Sequence, residues 1–404
     1  MENKKKKRSK KNKKKEPIKE EKVEIEETEP EIVSKQPSNL YLRTISAVVL
    51  IVGVIIIISM GHWYCACFVF FLQFGVFNEI LKLKRDKDME EKSKVTIVLL
   101  WIMFLISFAF SFIRHFKYKF DSRDSYLLTF LIKYHTIILL TLYLLTFCGF
   151  IMKLQYKTLA YQLRLFFSST YIMILNFFIQ HSVNVIYGGL IWFICSVLLV
   201  TVNDLFAYIF GKLFGRTQLI KLSPKKTVEG FIGGMISTCV FAIILSKYID
   251  HFQPKYLICP QDEVFFTPFM FTECETPEMY IDQYWNVPFL PQQLNPIKLS
   301  EFNIHMFICA LFACFIAPFG GFFASGLKRS LKIKDFANLI PGHGGLLDRL
   351  DCQIVMIIFL SVYMTTLVLR KSIINRRIIG FIDELNEEQR ILAFERLKEL
   401  LGMD

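Results

Sequence analysis

About nine apolar runs, each of roughly 20 residues and so long enough to cross a bilayer, dominate this 404-residue chain. They begin near Leu42, Trp63, Val95, Tyr134, Leu163, Val185, Val228, Asn303 and Cys352. In lipid every backbone N–H and C=O group must find a partner within the protein, which restricts spanning segments to helices and closed barrels. Runs of this length belong to helices. The expected fold class is therefore all-α, a polytopic integral membrane protein with about nine transmembrane helices. With 53% hydrophobic and only 21% charged residues, the chain lies outside the usual soluble range, and a soluble fold would need an implausibly large apolar core.

Three regions follow. Residues 1–40 open with a run of Lys and Arg and continue into a Glu-rich stretch without apolar periodicity, the pattern of a disordered charged cytosolic tail. It lacks the form of a cleavable signal peptide. Residues 41–370 hold the apolar runs and form the expected transmembrane domain, interrupted by one long polar loop at 248–302. Residues 371–404 carry helical apolar spacing at Ile379, Phe381, Ile382, Leu385, Ile391, Leu392, Phe394 and Leu397, which reads as an amphipathic surface helix.

Charge sets the orientation. The links Lys82 to Lys94 and Lys153 to Lys157 are Lys-rich, which places them and the amino terminus on the cytosolic face. By alternation the loops at 204–227 and 325–350 share that face, and the 248–302 loop lies opposite. Of the net +12, the first 39 residues supply +4 (13 Lys/Arg against 9 Glu), so +8 remains on the embedded part. Such a surplus sets topology, attracts anionic lipid or binds an anionic substrate; nucleic acid is not an expected partner. Most of the ten Cys lie in apolar runs, where a thiol acts as a small hydrophobe. Cys259 and Cys274 share the polar loop, and sequence spacing leaves open whether they are bonded.

Ionisable groups beside apolar helices cost energy unless they are paired or bind something, and here they gather in two loops. The first runs from Asp204 through Lys212, Arg216 and Lys221 to Ser223, Pro224, Lys225, Lys226, Thr227, Glu229 and Gly230. Ser223 and Pro224 suit the N-cap and first turn of the seventh span, where free N–H groups favour phosphate oxygens. Lys225 and Lys226 would reinforce that, or merely mark the membrane boundary. Gly230, Gly233 and Gly234 would also serve close helix packing alone.

The second loop contains Lys328, Arg329, Lys334, Asp335, His343, Asp348, Arg349 and Asp351. The i, i+3 spacing of Asp348 and Asp351 puts both carboxylates on one helical face, where a bridging cation such as Mg²⁺ would relieve their repulsion. Stabilisation of the helix dipole is the plainer alternative. His343, between glycines, would contact a phosphate or support the turn. Glu79 is a further intramembrane carboxylate.

The second loop resembles the full signature of CDP-diacylglycerol synthase, or phosphatidate cytidylyltransferase, of the eukaryotic type. It reads S-x-L-K-R-x4-K-D-x-A-x2-I-P-x-H-G-G-L-x-D-R-L-D from Ser325 to Asp351. Asn203-Asp204 to Arg216, the segment Lys221 to Gly234, Glu79 and the Cys259-Pro260 insertion are similar as well. The likeness covers roughly residue 45 to the end. Val228 stands where relatives often carry an aromatic, and the Lys-rich tail lies outside it.

The resemblance implies an enzyme that transfers the cytidylyl group of CTP to phosphatidic acid, giving CDP-diacylglycerol and pyrophosphate for phospholipid synthesis. It further implies a homodimer in the endoplasmic reticulum membrane, with the active site facing the cytosol and a divalent metal centre at that edge. Asp204, Asp335, Asp348 and Asp351 become metal-ligand candidates for Mg²⁺. Lys225, Lys226, His343 and Arg349 join them as catalytic candidates, and Arg216, Ser223, Thr227, Glu229, Lys328, Arg329 and Lys334 as substrate-binding ones. The expected partners are CTP, phosphatidic acid and the bilayer. A CTP-dependent lipid kinase is the alternative; a transporter would place its ionisable groups nearer the bilayer midplane.

Overall fold

The computed structural model describes residues 39–83, 87–116, 126–180, 182–220, 223, 225–261, 267–270, 274–286, 295–337, 339, 344–368 and 385–401. The amino-terminal tail, Pro224 and His343 thus lie outside the described residues. The path is α1 (Asn39–Met60), α2 (His62–Leu81), α3 (Lys87–Lys92), α4 (Lys94–Phe116), α5 (Tyr126–Met152), α6 (Leu159–Gln180), α7 (Ser182–Tyr187) and α8 (Leu190–Phe214). It continues through α9 (Val228–Phe252), α10 (Lys255–Ile258), β1 (Gln283–Trp285), β2 (Ile297–Leu299), α11 (Glu301–Phe315), α12 (Pro318–Ser330), α13 (Leu347–Tyr363) and α14 (Glu387–Leu401). The protein is an all-α membrane protein whose only described strands form one small antiparallel pair, Gln283 opposite Leu299.

Among the described residues, six segments are long and apolar enough to cross a membrane: His62–Leu81, Phe130–Met152, Leu190–Phe214, Val228–Phe252, Glu301–Ser330 and Leu347–Val368. Three of the nine expected spans fall short of that measure. They lie on α1, α4 and α6, whose helices of 22, 23 and 22 residues are themselves of bilayer length. The sixth run also starts later than Val185. Gly189 at φ +135° separates α7 from α8, and a Cβ there would sit 3.1 Å from the Ile258 carbonyl oxygen. The eighth is broken between α11 and α12 at Ile316 and Ala317, where Pro318 opens α12.

Apolar side chains form two cores. One surrounds Trp192, with Phe302, Tyr280, Met306 and Met356; the other surrounds Phe77 and Phe104, stacked at 4.1 Å between centroids. Helices α8 and α9 approach most closely, because glycines line the contact. A Cβ on Gly234 would lie 2.9 Å from the Asn203 carbonyl oxygen, and one on Gly230 would lie 2.6 Å from that of Ala207. Small residues let helix backbones meet where lipid offers no hydrophobic drive.

The two ends of the bundle differ. At one end Asp250 of α9 accepts from Ser300 Oγ at 2.9 Å and from Asn303 Nδ2, and Ser300 itself caps α11 by accepting from Asn303 N. Lys247 and Lys298 flank Asp282 at 3.6 and 3.3 Å, and Cys259 and Cys274 form a disulfide. The question the spacing left open is thereby answered. The two loops of the signature lie at the other end, some 25 residues of α9 away, or about 37 Å at 1.5 Å per residue. In sealed vesicles, therefore, S330C and Y284C should react with an impermeant thiol reagent from opposite faces; labelling of both from one face would contradict this arrangement.

Candidate functional site

The first loop closes on itself. Leu219 N donates to the Lys226 carbonyl (2.9 Å) and Val228 N to the Thr217 carbonyl (2.9 Å), while Glu229 accepts from Arg216 N and Thr217 N, each at 3.1 Å. Thr227, in extended backbone, caps α9 by accepting from Gly230 N at 3.2 Å. The expected Ser223–Pro224 cap is thus corrected to Thr227: α9 starts at Val228, and Ser223 belongs to the preceding turn, its carbonyl accepting from Lys226 N. Proline mimics a first turn in sequence, but the hydroxyl four residues later is the one that reaches a free amide.

This loop hangs over a cavity of 340 Å³ whose lining includes Asp204, Lys212, Ser223, Lys225, Lys226 and Thr227. Asp204 is exposed to it. Lys226 and Arg349 are the cations whose charge reaches Asp204, and Lys226, Lys328 and Asp204 act on Asp351 in turn. A methyl group added at Gly321 would lie 3.5 Å from an Asp351 carboxylate oxygen and 3.6 Å from Lys226 Nζ. Asp204, Asp351, Lys226 and Arg349 therefore constitute one mixed-charge centre, drawn from α8, the first loop and α13.

Asp348 is engaged differently. Oδ1 accepts from Lys328 Nζ at 2.8 Å, and Oδ2 accepts from Phe336 N and Gly345 N, both at 3.0 Å. With Asp348 6% and Lys328 17% exposed, the pair ties α12, the second loop and α13 together. Removing one partner of such a pair strands the other charge in a poorly solvated place. Asp335 is exposed in the loop beside Gly344, and Arg329 and Lys334 are exposed at the same end. Glu79, 5% exposed, accepts from Leu346 N at 2.6 Å and Leu347 N at 2.9 Å. Nothing in the sequence pairs residue 79 with residue 346.

Among the described residues no three His, Cys, Asp or Glu side chains gather as a metal cage. Mg²⁺ does not require one, since it is commonly held by one or two carboxylates together with substrate phosphates and water. Asp204 and Asp351, beside cations suited to phosphate, fit that requirement.

The fold and this centre define a class: a polytopic membrane protein that gathers carboxylates beside lysine and arginine side chains at one end of its helices. Residues 41–367 match the cytidylyltransferase family. The chain is 35% identical over 372 residues to phosphatidate cytidylyltransferase 1 of Arabidopsis thaliana, covering 89% of this chain and 87% of that protein. It is 36% identical over 385 residues to phosphatidate cytidylyltransferase 1 of Homo sapiens (91% and 82% covered), and 34% identical over 374 residues to the phosphatidate cytidylyltransferase of Saccharomyces cerevisiae (90% and 81%). The chain belongs to the cytidylyltransferase family.

The glycine contact beneath the cavity should be intolerant of substitution. G230A is expected to lower unfolding stability in detergent by about 1–3 kcal/mol, the usual range for overpacking. G53A, where nothing lies within 4 Å, should leave it unchanged. Equal melting of the two variants would show that the α8–α9 contact is not tight.

Proposed function

We propose that the chain transfers the cytidylyl group of CTP to phosphatidic acid. A phosphate oxygen of the lipid attacks the α-phosphorus of CTP. The new bond joins that oxygen to the α-phosphorus, and the bond from the α-phosphorus to the bridging oxygen breaks, so that pyrophosphate leaves with the electron pair. The observation carrying the proposal is the cavity shared by Asp204, Lys225 and Lys226, beside Asp351. The nucleophile is already anionic, so the protein's task is alignment and charge neutralisation rather than proton removal.

Lys225, Lys226 and Arg349 hold triphosphate and lipid phosphate oxygens, and Ser223 and Thr227 line the same space. Asp204 and Asp351 hold Mg²⁺, which when bound neutralises phosphate charge and fixes the substrates' orientation. Asp348 with Lys328 sets the loop that presents Asp351, and Glu229 shapes the first loop by taking two of its amides. Arg216 in the first loop and Arg329, Lys334 and Asp335 in the second add exposed charge that would meet the anionic substrates, and His343 belongs to the second loop. The relatives give no support to the lipid-kinase alternative.

The site end faces the cytosol of the endoplasmic reticulum membrane. Two features favour that orientation: the Lys-rich links Lys82 to Lys94 and Lys153 to Lys157, and a disulfide in the opposite loop, which suits an oxidising lumen. A homodimer is the assembly that the family resemblance implies.

With purified protein, phosphatidic acid and Mg²⁺, label in the α-phosphate of CTP should enter the chloroform-soluble lipid and label in the γ-phosphate should leave as pyrophosphate. Lipid labelled from the γ-position, with CDP released, would establish a kinase instead. D351N should lose at least about tenfold in turnover, the tenfold corresponding to 1.4 kcal/mol of transition-state stabilisation. Near-normal turnover of D351N would remove Asp351 from the centre.

A further inference from the structure

We propose that Glu79 of α2 is a positioning residue for cytidylyl transfer, acting as the cap of α13 supplied from the far side of the sequence. The first amides of a helix have no partner within it. At α13 two of these, Leu346 N and Leu347 N, are taken one each by the two oxygens of Glu79, at 2.6 and 2.9 Å. Neither residue before the helix provides a side-chain cap: Leu346 stands at the N-cap position and makes none. Asp348 of the helix's own first turn turns back to Gly345 N and Phe336 N. The start of α13 is therefore closed by two internal carboxylates.

The neighbourhood is built around that contact. Gly345 is buried against the Glu79 carboxylate, and a Cβ at that position would stand 2.8 Å from Oε1 and 2.9 Å from Oε2. Gly75, one turn earlier on α2, receives the side chain of Leu346 where a Cβ would clash. Asp351 follows Leu347 by four residues, or about 6 Å of helix. The carboxylate that fixes the first turn of α13 thus fixes where Asp351 stands, while the first loop that carries Lys225 and Lys226 is closed by Glu229 and Thr227 independently. Misplacement of a reacting group by about 1 Å can cost on the order of 100-fold in rate. Loss of Glu79 should consequently lower kcat more than it weakens the binding of CTP, since Lys225 and Lys226 sit on the first loop and only Arg349 of the three phosphate-holding cations belongs to α13.

This inference rests on the assignment of Asp351 to the reacting phosphates. Its test uses E79A, E79Q and G345A in purified full-length protein, with D351N alongside. E79A should lower kcat by about tenfold or more and leave KM for CTP within about threefold, and added acetate or formate should restore turnover in a saturable way by entering the vacated space and capping the helix. E79Q, which fills the space but offers only one acceptor, should lose kcat without such rescue, and the wild type should not respond to acetate. Should E79A fail to fold, G345A provides the second route: it displaces the carboxylate and should show the same kcat loss at unchanged KM. Wild-type kcat in E79A or G345A, or an E79A loss that acetate does not reverse, would overturn the role of Glu79. Near-normal turnover of D351N would instead remove the route through which Glu79 acts, so the two failures are distinguishable.

Discussion

A helix in lipid satisfies its backbone everywhere except at its ends, where four N–H groups at the start lack partners within the helix. In this protein those ends come together at the signature loops, and each is closed by a side chain. Thr227 caps α9, Glu79 caps α13 from α2, and Asp348 takes two loop amides while pairing with Lys328. At the opposite end Ser300 caps α11 and is itself held by Asp250, whereas α2 and α8 start at Gly61 and Gly189 without a side-chain cap. Capping therefore decides which carboxylates are structural. Asp204 lines the cavity with Lys226, and Asp351 lies near Lys226 across Gly321, so these two carboxylates stand among cations rather than at a helix cap.

That division explains why a loop so dense in charge is stable at a membrane edge. A buried ion pair such as Lys328 and Asp348 gains from its geometry only if the remaining lone pairs are satisfied, and Phe336 N and Gly345 N satisfy them. The close α8–α9 contact has a complementary role. By letting Gly230 and Gly234 meet the backbone of α8, it brings the first loop and its lysines over Asp204.

Much of this was legible in the sequence. Apolar runs of helical length dictate the all-α membrane fold, and two same-face loops dense in ionisable groups point to one end of it, without separating Asp204, Lys226, Arg349 and Asp351 from the other candidates there. What the sequence withheld depends on contacts between distant residues. Spacing puts Asp348 beside Asp351, but Lys328 lies 20 residues away and draws it elsewhere. Ser223 and Pro224 carry the local signature of a helix start, whereas closure of the Arg216–Thr227 loop by Glu229 moves the start to Val228. Helix boundaries are affected similarly: Gly189 and Pro318 break apolar runs whose composition is continuous.

The account turns on Asp351, rather than its neighbour Asp348, facing the metal and the substrate phosphates. Its most direct test is the retention of Mn²⁺, as a spin-active substitute for Mg²⁺, by purified protein in the presence of CTP, compared between folded D351N and folded D348N. Retention should be lost in D351N and kept in D348N, whose carboxylate serves Lys328 and two amides. Retention in D351N together with loss in D348N would contradict the division of roles between the two carboxylates.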